Sequence, residues 1–179
     1  LFTDAQIRFS ALKKITVAKT NQYYKDIDGV LYTKDGEALI YCPICNTGDE
    51  DGEIHIPDGV KYISSKAFAH NTGIKKLYLP DSLKLIFESA FSGMDELQFV
   101  DFGKGIRHIG SENSPGVFRF CHKLKEVIIQ EQVKSIGPNA FYNCSSLQQV
   151  KLPEGLEYIS KYAFYGTSKR YTCQSHYTR

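Results

Sequence analysis

Apolar residues return along this chain with a fixed beat. The pattern Ile-x-x-x-Ala-Phe runs from Ile63 to Phe68, Ile86 to Phe91, Ile136 to Phe141 and Ile159 to Phe164. Phe68 and Phe91 are 23 residues apart, as are Phe118 and Phe141, and Phe141 and Phe164; only Phe91 to Phe118 stretches to 27. Aligned on the phenylalanines, Val60, Leu83, Ile106, Val133 and Leu156 fall into one column, and Ile74, Leu97, Leu124 and Leu147 into another. Leu77, Val100, Val127 and Val150 follow, then Leu79, Phe102, Ile129 and Leu152, and this last pair of columns alternates as a strand does.

Pro57, Pro80 and Pro153 close that strand in three units, where a missing N–H and a fixed φ stop the ladder; Gly103 and Gln130 stand there in the others. The Ala-Phe step predicts a short helical turn, with Ser64 or Ser160 as N-cap and Pro138 at an early helical position. One unit thus reads strand, turn, second extended piece, short helix. Such a unit is too small to bury both apolar sides, so neighbours must stack about 4.8 Å apart through parallel strand pairing, which makes a solenoid.

The residue pattern closely resembles the BspA-like leucine-rich repeat family of bacterial surface proteins, whose unit runs Leu-x-x-Ile-x-Leu-Pro-x-x-Leu-x-x-Ile-x-x-x-Ala-Phe-x-x-Cys-x-x. Leu147 to Phe164 carries nearly all of it, with Cys144 just before, and the resemblance spans roughly residues 54 to 167. Ile27 to Tyr41 resembles the hairpin that interrupts such arrays. The expected fold is an α/β leucine-rich-repeat solenoid, right-handed, a parallel β-strand stack with short helical turns and an N-terminal β-hairpin insertion. Its expected divisions are 1–26, an N-terminal cap and partial repeat; 27–53, hairpin and linker; 54–167, repeats; and 168–179, a C-terminal cap. Residues 1–11 suggest a capping helix, Leu12 to Val17 the strand of an earlier repeat, and Tyr171 with Cys173 a last strand. The chain opens on Leu1 and its only methionine is Met94, as expected of a processed or excised piece.

Composition adds bounds rather than chemistry. A net charge of +2 argues against a strongly charged partner, and no apolar run approaches the ~20 residues that span a bilayer. Five cysteines do not make a disulfide framework. Cys121 and Cys144 share a repeat column and read as buried thiols, and Cys42-Pro-Ile-Cys45 lacks the companions of a zinc or redox site. The five histidines form no column, no phosphate loop is present, and Asp49 to Glu53 lacks the spacing of a calcium loop. No catalytic set, metal or cofactor is expected.

The repeat phase does predict which side chains face outward. One strand column runs Thr16, His55, Tyr78, Asp101, Ile128 and Lys151, its neighbour Lys14, Glu53, Lys76, Phe99, Glu126 and Gln149. Tyr78, Phe99 and Ile128, with Lys76 and Asp101 beside them, are the candidate partner-binding patch; β-propensity under a covering loop is the competing reading. Lys61, Lys84, Arg107 and Lys134 form a candidate anion-binding stripe before Glu157 ends it, against a plain solvated position. Gly110 to Gly116 adds four residues that must bulge out, in a place where loops often carry recognition.

The resemblance implies a non-enzymatic binding module, extracellular or at the cell surface, with a protein partner from host matrix or another bacterial surface, and neither nucleic acid nor membrane insertion. A structural spacer and a carbohydrate-binding module are the alternatives.

Overall fold

The computed structural model describes residues 11–167 of the chain. The proposed capping helix falls almost wholly, and the last strand and C-terminal cap entirely, outside the described residues. Strands β1 (Tyr24–Ile27), β2 (Val30–Thr33) and β3 (Ala38–Tyr41) form an antiparallel meander. Asp28 and Gly29 both have positive φ, 50° and 81°, the turn that matches the twist of a hairpin. The meander does more than interrupt the array, because β3 pairs in parallel with β5 (Tyr62–Ile63), which pairs with β7 (Leu85–Ile86). It therefore supplies the first rung of one solenoid sheet.

The larger strands are β4 (Glu53–His55), β6 (Lys76–Tyr78), β8 (Phe99–Asp101) and β10 (Glu126–Ile128), parallel and in strict register, so that Ile54, Leu77, Val100 and Val127 point inward as one column. A further short sheet joins β9 (His108–Ile109), β11 (Ser135–Ile136) and β12 (Tyr158–Ile159). Leu12 to Val17 is not a strand: it is held by single bonds, Ile15 N–H to the Gly29 carbonyl and Cys45 N–H to the Leu12 carbonyl. Gln149 to Lys151 is not a strand either, and a cleft of about 620 Å³ opens between β10 and this segment. Thr16, Lys14, Gln149 and Lys151 thus drop out of the outward columns.

The Ala-Phe segments are not helical, and the described residues contain no helix. In the first, Ala67, Ala69 and Asn71 donate N–H to the carbonyls three residues back (Ser64, Lys66, Phe68), while Lys66, Phe68 and His70 donate to Glu88, Ala90 and Ser92 of the next rung. Alternate amides therefore close a turn and bridge a rung. An α-helix would need every amide to bond four residues back within its own segment. The next turns repeat the scheme, with Phe91 to Val117, Phe118 to Ala140 and Phe141 to Ala163. Left-handed φ is correspondingly periodic: Lys66, Ser89, Gly116, Asn139 and Tyr162 in one column, His70, Gly93, Phe120, Asn143 and Gly166 in another. Ser64 and Ser160 are not N-caps; their carbonyls accept turn bonds from Ala67 and Ala163, and the Pro138 carbonyl accepts from Gly116.

This geometry stacks the phenylalanines. Ring centroids lie 5.0 Å apart for Phe68 and Phe91, 4.8 Å for Phe91 and Phe118, 5.6 Å for Phe118 and Phe141, and 5.3 Å for Phe141 and Phe164. Phe102 meets Phe118 edge-on at 5.5 Å. The 27-residue interval leaves the stack undisturbed, because Ser111 and Ser114 exchange two backbone hydrogen bonds and pinch off a small external loop. Below the rings, the buried thiols of Cys121 and Cys144 donate to the carbonyls of Phe91 and Phe118 at 3.1 Å. Burial raises the Cys121 and Cys42 thiols well above the usual range, so both stay protonated. Asn71 occupies the same column at the hairpin end. Its amide donates to Pro43 and Asn46 carbonyls and accepts from Gly73 and Ile74 N–H, tying the Cys42–Cys45 loop to the array.

Truncating the middle of the ring stack, Phe118→Ala, should cost about 4 kcal/mol in denaturant unfolding. Asn71→Ala should cost about 2–3 kcal/mol, because it strands buried backbone groups. Glu112→Ala in the pinched loop should change stability by no more than about 0.5 kcal/mol.

Candidate functional site

The strict register of the large sheet puts Glu53, Lys76, Phe99 and Glu126 in one outward row and His55, Tyr78, Asp101 and Ile128 in the other. Tyr78 lies flat on His55, with ring centroids 4.2 Å apart and planes within 2°, and it meets Phe99 of the next rung at 5.5 Å. These rings shield one another, so Tyr78 and Phe99 are half-buried while Ile128 is 37% exposed. Of the expected patch, Tyr78 and Phe99 touch, with His55 added as a third ring, while Ile128 stands on the following rung opposite Asp101. Its charged neighbours are less free than the pattern implied: Lys76 is ion-paired with Glu53, and Asp101 accepts hydrogen bonds from Gly103 N–H at 3.0 Å and Gln130 at 3.2 Å. Asp101 therefore shapes the turn that follows its strand.

The basic stripe is a column bounded by acid. Lys61 pairs with Glu37, whose carbonyl also accepts the Lys61 N–H, and Lys134 pairs with Glu157 at 3.2 Å. The column reads Glu37, Lys61, Lys84, Arg107, Lys134, Glu157, with exposed Lys84 and Arg107 in its middle. Glu37 lies on the turn leading into β3, outside the repeat period, which is why the sequence columns did not reveal it. Hydrogen bonds to Glu37 and Glu53 raise the Lys61 and Lys76 pKa values. A raised lysine gives stability that is complete below the ordinary value near ~10.4 and is lost as pH rises through the folded value, so both pairs are intact at neutral pH. Both are exposed and worth little.

The turn face carries an aromatic surface that the sequence reading missed. Phe120, Tyr142, Tyr162 and Tyr165 line an open cleft with Arg119 and Asn139. Its signal was present in the columns Ala69, Ser92, Arg119, Tyr142, Tyr165 and His70, Gly93, Phe120, Asn143, Gly166. Tyr162 comes from a third column, with Lys66, Ser89, Gly116 and Asn139. Among the described residues no group of three or more His, Cys, Asp or Glu side chains is arranged to hold a metal ion, and no helix is long and apolar enough to cross a membrane.

Residues 112–176 match the family described as BspA type leucine rich repeat region (6 copies), bearing out the resemblance in the repeat pattern. None of the curated proteins matches this chain. Among solved structures, a leucine rich cell surface protein from Faecalibacterium prausnitzii A2-165 is 30% identical with a TM-score of 0.77, covering 88% of this chain and 40% of its own. The T. pallidum leucine rich repeat protein is 24% identical with a TM-score of 0.63, covering 83% and 66%. The pneumococcal vaccine antigen PcpA is 20% identical with a TM-score of 0.58, covering 89% and 50%. The last two likenesses concern the fold alone. The chain spans less than two thirds of the length of each of these three proteins.

Replacing Glu37 and Glu157 together by Gln should move elution from a sulfonate cation exchanger to higher salt, and Lys84→Gln with Arg107→Gln should move it lower. In a pH series, the contribution of the Lys61 and Lys76 pairs to the melting temperature should be flat through neutrality and fade only above about pH 10.

Proposed function

We propose that this stretch of BspA-type repeats is a non-enzymatic binding module of a bacterial cell-surface or secreted protein, and that it engages a protein partner through the outward face of β4, β6, β8 and β10. The observation that carries this reading is the run His55, Tyr78, Phe99 on three successive rungs, continued by exposed Ile128. Aromatic and aliphatic side chains on a sheet face, edged by Glu53, Lys76 and Glu126, have the make-up of an interface centre with a charged rim. The rings are already fixed by mutual stacking, so a partner meets a surface whose side-chain entropy is spent before binding. The setting is supported by the Faecalibacterium relative, described as a cell surface protein. Host matrix proteins and other bacterial surface proteins are the partner classes that fit such a setting, and adhesion is the role.

The test is capture of purified extracellular-matrix and bacterial surface proteins on immobilised module. The double variant Tyr78→Ala, Phe99→Ala should weaken capture at least about tenfold, while loss of the stacked pairs costs only about 1–3 kcal/mol of stability. Unchanged capture by a folded double variant overturns the sheet-face reading. A module that captures nothing in either panel acts as a spacer instead. Capture through this face should respond weakly to salt, whereas capture through Lys84 and Arg107 should fall steeply.

A further inference from the structure

The aromatic cleft on the turn face has a volume of about 590 Å³ and is built from different columns than the sheet patch. Tyr142 and Tyr165 stack along the solenoid axis, 5.3 Å apart and within 16° of parallel. Phe120 stands across Tyr142 at 82° and Tyr162 across Tyr165 at 85°, so rings of two orientations meet in one place. Phe120 is 37% exposed, Tyr162 49% and Tyr165 57%. Three neighbouring exposed rings around half-buried Tyr142 form an apolar surface of the kind that marks a contact site.

Backbone conformation adds a second anomaly. Phe120 and Tyr162 hold φ of 63° and 60°, a region that bulky side chains avoid. Of the eight other residues in their two left-handed columns, five are Gly or Asn: Gly93, Gly116, Asn139, Asn143 and Gly166. Two aromatic residues thus bear backbone strain in order to stand at the surface, and strain borne without burial points to a task outside the fold.

Charge and hydrogen bonding narrow the occupant. The Arg119 guanidinium lies 5.8 Å from the Phe120 ring centroid and the Lys161 ammonium 4.8 Å from that of Tyr162. The Arg119 side chain makes one hydrogen bond, to Ser92 at 3.3 Å, no carboxylate lines the cleft, Lys161 stands beside the lining over Tyr162, and neither cation has an acidic partner among the described residues. In the rungs of Phe120 and Tyr142 the backbone offers no strand edge to a peptide, since the amides of Gly116, Phe120, Asn139 and Asn143 already bond the next rung. Two cations are also too few to hold a nucleic acid, whose affinity is built from many phosphate contacts. What remains is recognition by ring faces, phenol hydroxyls, the Asn139 amide and two cations. A sugar ring bears C–H faces that pack on aromatic rings and hydroxyls that bond phenols and amides, and a ring carboxylate satisfies a guanidinium.

We infer that the cleft lined by Phe120, Tyr142, Tyr162 and Tyr165 is a binding site for an acidic polysaccharide, with carboxylate-bearing sugar rings laid on the aromatic side chains and their charge met by Arg119 and Lys161. The site does not depend on the sheet-face reading, and either can fail alone. Isothermal titration of the whole chain with hexa-galacturonate and with a hyaluronan hexasaccharide should give saturable binding to at least one, and the carboxyl-reduced counterpart should bind about tenfold more weakly. Tyr165→Ala should weaken binding about tenfold, and so should Tyr162→Asn, a residue the left-handed backbone favours and which should leave the melting temperature unchanged or higher. Arg119→Gln together with Lys161→Gln should erase the preference for the uronate over its reduced form while leaving the reduced form's affinity intact. No saturable binding to either acid sugar, equal affinity for the reduced counterpart, indifference to Tyr162→Asn, or displacement of the sugar by an acidic peptide would each overturn the proposal.

Discussion

The bond on which this molecule rests is the backbone hydrogen bond from one rung to the next. It is made in the strands, as any parallel sheet requires, and again in the turns, where every second amide reaches across to the following Ala-Phe segment. No rung can satisfy its own polar groups, so none has reason to fold alone. The stacked phenylalanines, the buried thiols and the periodic left-handed residues are all consequences of holding the turns in phase. Their apolar burial supplies the driving force, but the ladder dictates where each ring must sit.

That ladder also explains what is legible in the sequence and what is not. The parallel stack and its inward columns were legible from Ile63, Ile86, Ile136 and Ile159 and their partners, because apolar periodicity survives any detail of backbone bonding. The turn conformation was not. Ala next to Phe, flanked by Ser64 or Pro138, suits the start of a helix as well as a bridged turn, and only the destination of the amides separates them. The aromatic cleft was hidden for another reason: its three columns carry Phe or Tyr only from the rung of Phe120 onward, so no column reads as aromatic along the chain. At the edges, Leu12 to Val17 and Gln149 to Lys151 match the strand pattern yet form no strand, for a short extended segment persists only where a neighbour accepts its amides.

Stacking makes charge a collective property. A column of like charges one rung apart repels itself, and this chain limits that repulsion at the ends, with Glu37 on the turn into β3 and Glu157 on the last described rung. The aromatic rows obey the same logic with the opposite sign, since each ring added at the next rung gains from the one before. Sheet face and turn face are therefore not collections of single residues but short one-dimensional arrays whose interior members differ from their ends. The sheet array is self-contained around Tyr78. The turn array runs through Tyr165, the last of its column among the described residues.

The loop closed by Ser111 and Ser114 shows that length and phase are separate quantities in this architecture. Phe91 and Phe118 lie 4.8 Å apart although the chain between them is longer than elsewhere. Closing a loop of a few more residues costs little entropy, and the cost grows only slowly with size. A lineage of such chains can therefore lengthen here by small duplications without renumbering the packing on either side. The position is a natural port for grafted sequence: a peptide inserted between Ser111 and Ser114 would be displayed beside an intact array, its ends already held at hydrogen-bonding distance by the host.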